Sequence, residues 1–343
     1  MSEPYHNKIT GPAAWRGADI QDDESWIVHL DDAMVGELDH LVKQLAARGT
    51  TLPFDASEYS LPALKPVFDE IPRRLEDGLG FVLVRGLPRE RYSADECALL
   101  YWAISSHIGA PVSQNARGER LCHVRDEGRS LGDPKVRGYQ TAAKLDFHCD
   151  LLPVDVLGLF CLRTAKSGGA SFLVSALAVH NVLLEERPDL LDVLYEPYHA
   201  DWRGDEPAGE TPWYTNPMYS YYDGKVTSRL TTRFVFDSAA RFGPDVALTA
   251  RQSEALDAAH EIAERPEMRL AMGFQEGDMQ FINNHIILHA REEYEDYEEP
   301  ERKRHLLRIW LGLPAERRRK LGPELAGRYR FVEAGGIPAR KAA

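Results

Sequence analysis

The apolar runs of this chain are short and lie far apart. Phe81-Val82-Leu83-Val84, Leu157 to Leu162, Met268 to Phe274, Met279 to Ile282 and His305 to Leu311 are strand-sized and punctuated by Gly, Pro, Asn or Asp. Stretches with helical periodicity stand before and between them. Met34, Leu38, Leu41 and Leu45 recur at helical spacing ahead of Gly49, and Val67, Ile71 and Leu75 mark a second helix. Ser93 and Glu96 stand at capping-box spacing at the start of a third, which runs towards His107-Ile108-Gly109, and Ser175 to Leu194 reads as a helical insertion. Strands so distant in sequence, with helices before and among them, predict an α+β protein built on an antiparallel barrel or jelly roll.

Length and charge narrow the function classes. A chain of 343 residues holds one large domain or two intimate ones. No run approaches the roughly 18–20 apolar residues of a membrane span, and the start MSEPYHNKIT lacks the basic and apolar regions of a secretion signal, so a cytoplasmic protein with no membrane partner is expected. Its formal charge of −13 repels phosphate backbones, which argues against a nucleic-acid partner. The basic residues near the end, Arg317, Arg318, Arg319, Lys320, Arg328, Arg330, Arg340 and Lys341, read as a solvated tail over 316–343. Residues 292–301 carry seven carboxylates before Arg302-Lys303-Arg304 and read as a solvated, charge-compensated loop. Cys97, Cys122, Cys149 and Cys161 form no C-x-x-C pair and are expected as reduced thiols.

Hydrolase, nucleotide-loop, zincin and dinucleotide-binding motifs are all missing. What remains is Phe147-His148-Cys149-Asp150. On extended backbone His148 and Asp150 point to one face, where an imidazole and a carboxylate joined by a distant second imidazole would form a 2-His-1-carboxylate facial triad. That triad leaves positions on iron(II) open. Two imidazoles, His285 and His289, stand in Asn283-Asn284-His285-Ile286-Ile287-Leu288-His289-Ala290-Arg291. Further on, Arg304, Leu306, Arg308 and Trp310 share one strand face, the two arginines about 13 Å apart at their Cα atoms. Guanidiniums among Leu, Ile and Trp are costly to bury unless they meet anions.

In these features the sequence resembles the taurine dioxygenase and clavaminate synthase-like (TauD/TfdA) family of iron(II)- and 2-oxoglutarate-dependent oxygenases. The resemblance spans roughly residues 75–315. It rests on the H-x-D at His148 and Asp150, the Gly168-Gly169-Ala170-Ser171 turn, the N-N-H-x-x-L-H-x-R block and the R-x-x-x-R strand. It implies a double-stranded β-helix (jelly-roll) core over 75–315, flanked by helices over 1–74, with a lid insertion at about 175–250. It implies iron held by His148, Asp150 and His289, with His289 favoured over His285 because it closes the block and is followed by Arg291 as in the family. Arg304, with help from Ser171, would hold the distal carboxylate of 2-oxoglutarate, and Arg308 would sit nearer the metal, facing the keto-acid end of the cosubstrate or the substrate. Gln114 and Leu151 match positions that face substrate; Asn115, Arg125, Tyr139, Trp202, Arg203 and Tyr221 are further candidate contacts.

Two departures from the family stand out. Ser171 replaces the common Thr, and the gap between His289 and Arg304 is long, which makes Arg302, of equal strand parity, a rival to Arg304. The implied reaction uses iron(II), 2-oxoglutarate and dioxygen to hydroxylate an unactivated C–H bond, releasing succinate and CO2. Desaturation or ring closure are related outcomes, and Asp150 sets the chain apart from halogenases. Arginines beside aromatics point to a small carboxylate- or amino-acid-like substrate; homo-oligomerisation is left open. A cupin-like metal-dependent hydrolase or isomerase, and a non-catalytic binding barrel, are the competing readings.

Overall fold

The computed structural model describes residues 3–130, 132–133 and 136–340. Two sheets form the framework. The seven-stranded major sheet runs Ile27–His29, Phe81–Arg85, Met279–Asn283, Val156–Arg163, His305–Gly312, Ala110–Val112, with Leu121–Val124 also paired to His305–Gly312. The four-stranded minor sheet runs Leu270–Met272, Ser171–Ser175, Ile287–Arg291, Leu145–His148. The distant apolar runs thus meet as antiparallel neighbours, and the two inner faces enclose one cavity: the expected jelly-roll core of an α+β protein.

Strand period explains why the major sheet's strands read as continuous apolar runs rather than alternating ones. Val82, Val84, Phe160, Leu162, Met279, Phe281, Leu307, Ile309 and Leu311 pack on an outer layer of helices. Their neighbours Leu159, Gln280, Leu306, Arg308 and Trp310 face the cavity. Both faces are covered, so both are largely apolar. Each fully buried Leu, Val or Phe contributes about 1.5–3 kcal/mol from desolvation.

The outer layer comprises helices Asp32–Ala47, Lys65–Asp77 and Ala94–Ile108, where periodicity placed them. Asp31 caps the first by accepting from the Met34 amide, and Ser93 and Glu96 form both halves of the capping box on the third. That third helix crosses the sheet at Gly158, where a Cβ would stand 2.4 Å from Tyr101 Oη and 2.8 Å from Ile309. Ser175 to Leu194 forms two helices, Ala176–Glu186 and Pro188–Val193, broken at Arg187 because Pro188 opens the second. Two hairpins follow, Tyr198–Asp201 with Trp213–Asn216 and Tyr219–Tyr222 with Lys225–Ser228, and then helices Arg233–Ala239 and Ala250–Ala263.

The basic C-terminal segment is not the solvated tail that its charges suggest. Helix Pro323–Glu333 buries Leu325, Tyr329 and Val332, an apolar stripe at helical spacing that the surrounding arginines disguise. Arg319 is buried and donates to the Val226 carbonyl, while the Arg328 guanidinium stacks 3.8 Å from the Tyr214 ring centroid and donates to the Leu151 carbonyl. The acidic loop departs from a solvated loop at two places. Tyr294–Glu295 pairs with Ser167–Gly168, and Asp296 accepts from the Arg304 amide. Among the described residues no helix is long and apolar enough to cross a membrane.

Candidate metal centre

Pairing register builds the centre. His148 ends the minor-sheet strand Leu145–His148 and lies directly opposite His289, so their rings stand 4.1 Å apart at the centroids. The strand stops at His148, two residues short of the extended piece over 147–150 that the sequence suggests. Asp150 still points inward because Asn284 Oδ1 accepts its backbone N–H and Arg229 donates to its carbonyl. Asp150 Oδ1 lies 3.9 Å from the Nε2 atoms of both His148 and His289. Among the described residues these three form the one cluster of His, Cys and carboxylate groups that could hold a metal ion.

Protonation is set for ligation. The Asp146 carbonyl can only accept, so the 2.6 Å contact places the proton of His148 on Nδ1 and leaves Nε2 free to bind. Burial lowers the pKa of His148, and burial together with the neighbouring His148 pushes His289 down to about 3; both rings are neutral at physiological pH. Burial alone would raise Asp150, but Arg308, the two histidines and Trp310 outweigh it and hold the carboxyl below its ordinary value. Its Oδ2 accepts from Trp310 Nε1 at 2.5 Å, Arg308 Nη1 straddles the carboxylate at 3.2 Å from Oδ2 and 3.4 Å from Oδ1, and Oδ1 faces the histidines.

The cavity extends from this cluster in two directions. Towards the Gly168-Gly169 turn lie Ser171, Arg291 and Arg304. Arg304 lines the cavity and is 4% exposed, whereas the Arg302 side chain is half exposed, pairs with Glu299 and stacks on Tyr297. His285 points elsewhere, its Nε2 3.0 Å from Asp155 in a buried network behind the cluster. The other direction is lined by Gln114, Tyr139, Leu151, Arg137, Asp205, Tyr214, Thr231 and Phe234. Gln114 accepts from Arg308 Nε at 2.7 Å, and Tyr139 stacks on the Arg308 guanidinium.

Five expected substrate contacts do not line the cavity. Asn115 caps its own turn, its Oδ1 accepting from Arg117 N and its Nδ2 donating to Glu119. Trp202 is buried behind the wall against Tyr214, Phe331 and Arg328. Arg203, at φ 51, is turned away and donates to the Val136 and Asp133 carbonyls. Arg125 and Tyr221 are also absent from the cavity lining. Conversely, Trp310, Asn284 and Arg229 hold Asp150 in place, and of the three only Trp310 shares by strand parity the face of a candidate site residue, Arg308.

The profile of the family described as "Taurine catabolism dioxygenase TauD, TfdA family" matches residues 42–310. The chain belongs to this family. It is 33% identical to FR-33289 synthase of Streptomyces rubellomurinus over 91% of its own length and 93% of that protein. It is 32% identical to the taurine hydroxylase-like protein SAT17 of Stachybotrys chartarum, over 88% of this chain and 79% of that one. An asparagine oxygenase solved with Fe(II), 3-hydroxyasparagine and succinate shares the fold at a TM-score of 0.64 and 17% identity, covering 92% of this chain and all of that one. As a TauD/TfdA enzyme the protein is an oxidoreductase that uses iron(II), 2-oxoglutarate and dioxygen. Its donor set fits such a metal: two neutral imidazoles and one ionised carboxylate on one side, with the cavity open on the other.

Proposed function

We propose that the enzyme hydroxylates an unactivated C–H bond of a small anionic or zwitterionic molecule of carboxylate or amino-acid type, with His148, Asp150 and His289 as the iron ligands. The charge balance of the cavity carries this reading. Four arginines (Arg137, Arg291, Arg304, Arg308) and two aspartates (Asp150, Asp205) line it, leaving two guanidiniums in excess before a divalent metal is counted. Arg137 is paired with Asp205 and Arg308 with Asp150, so the excess lies at Arg291 and Arg304 on the cosubstrate side; with iron(II) and the dianion 2-oxoglutarate cancelling one another, the cavity as a whole stays positive, which favours an anionic group on the substrate. The asparagine oxygenase captured with its hydroxylated amino acid supports the same class.

When bound, the metal and cosubstrate supply the oxidation: 2-oxoglutarate leaves as succinate and CO2, one oxygen atom going to succinate and the other into the substrate C–H bond. The chain's own part is placement. Arg304 and Ser171 hold the distal carboxylate of 2-oxoglutarate. Arg308, tied to Asp150 and Gln114, presents its remaining N–H groups beside the metal ligands. Gln114, Tyr139 and Leu151 face the substrate side. Residues 175–250 serve as a lid, contributing Asp205, Tyr214, Thr231, Thr232 and Phe234 to the wall and excluding water.

The test is a succinate-release screen against amino acids, sulfonates, phosphonates and aromatic acids, with product mass read in parallel. Coupled release with a gain of one oxygen atom is expected from an anionic or zwitterionic member. Coupling only to neutral or macromolecular substrates would overturn the substrate class. Absence of the anaerobic iron–2-oxoglutarate absorption band in a His148→Ala variant is expected, and its persistence there would overturn the ligand assignment.

A further inference from the structure

We propose that Arg291 is a second guanidinium for the distal carboxylate of 2-oxoglutarate, so that this chain grips its cosubstrate with an arginine from each sheet. The inference rests on the reading of the cavity given above. Arg291 ends the strand Ile287–Arg291, two residues beyond His289, and pairs in register with Ser171 on the neighbouring strand. Arg304 approaches from the opposite wall at the start of His305–Gly312. Between them stands Tyr294, with the Arg291 guanidinium carbon 4.8 Å and that of Arg304 5.1 Å from its ring centroid.

Both arginines are buried, at 5% and 4% exposure, and neither is in an ion pair among the described residues. Arg291 Nη2 is fixed by the carbonyls of Thr141, at 2.8 Å, and Ala143, which orients the fork. Its Nε and Nη1, the Arg304 Nη1 and the Tyr294 Oη have no acceptor. Asp296 Oδ1 accepts from the backbone amide of Arg304, and its buried Oδ2 has no hydrogen-bond partner and is not ion-paired with either guanidinium, although its charge acts on both. Burying one unpaired guanidinium costs several kcal/mol even after relaxation, and a second beside it adds repulsion. A carboxylate offers about four lone-pair sites, enough to accept from both forks and from Ser171 at once. Such a group relieves the desolvation and the repulsion together, whereas a keto acid without a distal carboxylate relieves neither.

The test compares wild type, Arg291→Gln, Arg291→Lys and Arg304→Gln by anaerobic titration of the iron(II) enzyme with 2-oxoglutarate. The iron–keto acid band is the readout, with pyruvate as the probe lacking a distal carboxylate. Arg291→Gln is expected to weaken 2-oxoglutarate binding ~10–100-fold, as loss of charge-assisted hydrogen bonds does, and to leave pyruvate binding and iron affinity unchanged. Arg291→Lys keeps the charge without the fork and should fall between the two, which tests the idea even if the Gln variant does not fold. If Arg304→Gln loses 2-oxoglutarate while both Arg291 variants stay within twofold of wild type, Arg291 is structural and the inference is wrong. Equal loss of pyruvate and 2-oxoglutarate in the Arg291 variants would also overturn it. Unchanged binding in Arg304→Gln would sink the reading of the cavity itself.

Discussion

Replacing Trp310 by phenylalanine probes how Asp150 is presented to a metal. Asp150 has Oδ1 towards the histidines and Oδ2 held by the Trp310 indole at 2.5 Å, with the Arg308 guanidinium straddling both oxygens at 3.2 and 3.4 Å. Phenylalanine keeps an aromatic ring on the strand but deletes the N–H. A hydrogen bond to an ionised acceptor is worth about 1.5–3 kcal/mol, and without it the carboxylate is free to turn about its Cβ–Cγ bond. At about 1.4 kcal/mol per tenfold, the metal dissociation constant should rise roughly 10–100-fold, the usual scale for a lost outer partner of a ligand. The smaller ring also leaves a void, which lowers folding stability in the free and loaded protein alike and so cancels from the metal affinity. Anaerobic competition titration with Fe(II), repeated with Mn(II), measures the affinity, and thermal unfolding of the metal-free protein measures the void. A lowered melting temperature with a dissociation constant within threefold of wild type would refute the argument, because Arg308 alone would then suffice to orient Asp150.

Two further outcomes follow from packing and burial. Gly158→Ala places a methyl against Tyr101 and Ile309 on the helix-facing side of the sheet; it should cost about 1–3 kcal/mol in urea unfolding and leave metal affinity unchanged, and an undiminished unfolding midpoint would contradict it. His180 is fully buried beside Tyr195, and burial, then His6, pushes it down to about 4. The unfolded chain, with an ordinary imidazole near ~6.5, binds a proton that the fold refuses, so stability falls as pH drops from about 6.5 towards 4. The loss is on the order of 2 kcal/mol at pH 5. Urea unfolding at pH 7.5 and pH 5.0 should show a correspondingly smaller drop in His180→Phe, and equal drops in both proteins would rule the mechanism out.

How much of this was readable from residues alone depended on the range of the physics involved. Helix Asp32–Ala47 and the capped helix Ala94–Ile108 are written in local periodicity and local hydrogen bonds, and they appear where expected. Strand parity placed Arg304, Arg308 and Trp310 on one face, and the cavity lining includes all three. What parity does not encode is register between distant strands. The pairing of His148 with His289, the Trp310–Asp150 bond and the Asn284 and Arg229 contacts all join residues more than seventy positions apart. Trp202 and Arg203 misled for a related reason: a Gly-rich, aromatic stretch looks like a binding loop, but the hairpin Tyr198–Asp201 with Trp213–Asn216 turns both behind the wall. In the C-terminal segment the abundance of arginine masked Leu325, Tyr329 and Val332, whose spacing alone announced the helix.

The register that sets His148 against His289 also fixes when the enzyme can become active. Under the ligand assignment proposed here, the first two donors emerge from the ribosome long before the third, and Trp310 and Arg308 follow later still. A nascent chain that has not reached His289 therefore holds at most two of the three donors. Closing so large a loop is entropically slow, and the site exists only once the minor sheet has closed. Iron then binds the finished barrel and not its precursors, which adds about 2.7 kcal/mol of stability at a metal concentration 100-fold above the dissociation constant. Oxidising power is thus withheld until a completed protein surrounds it.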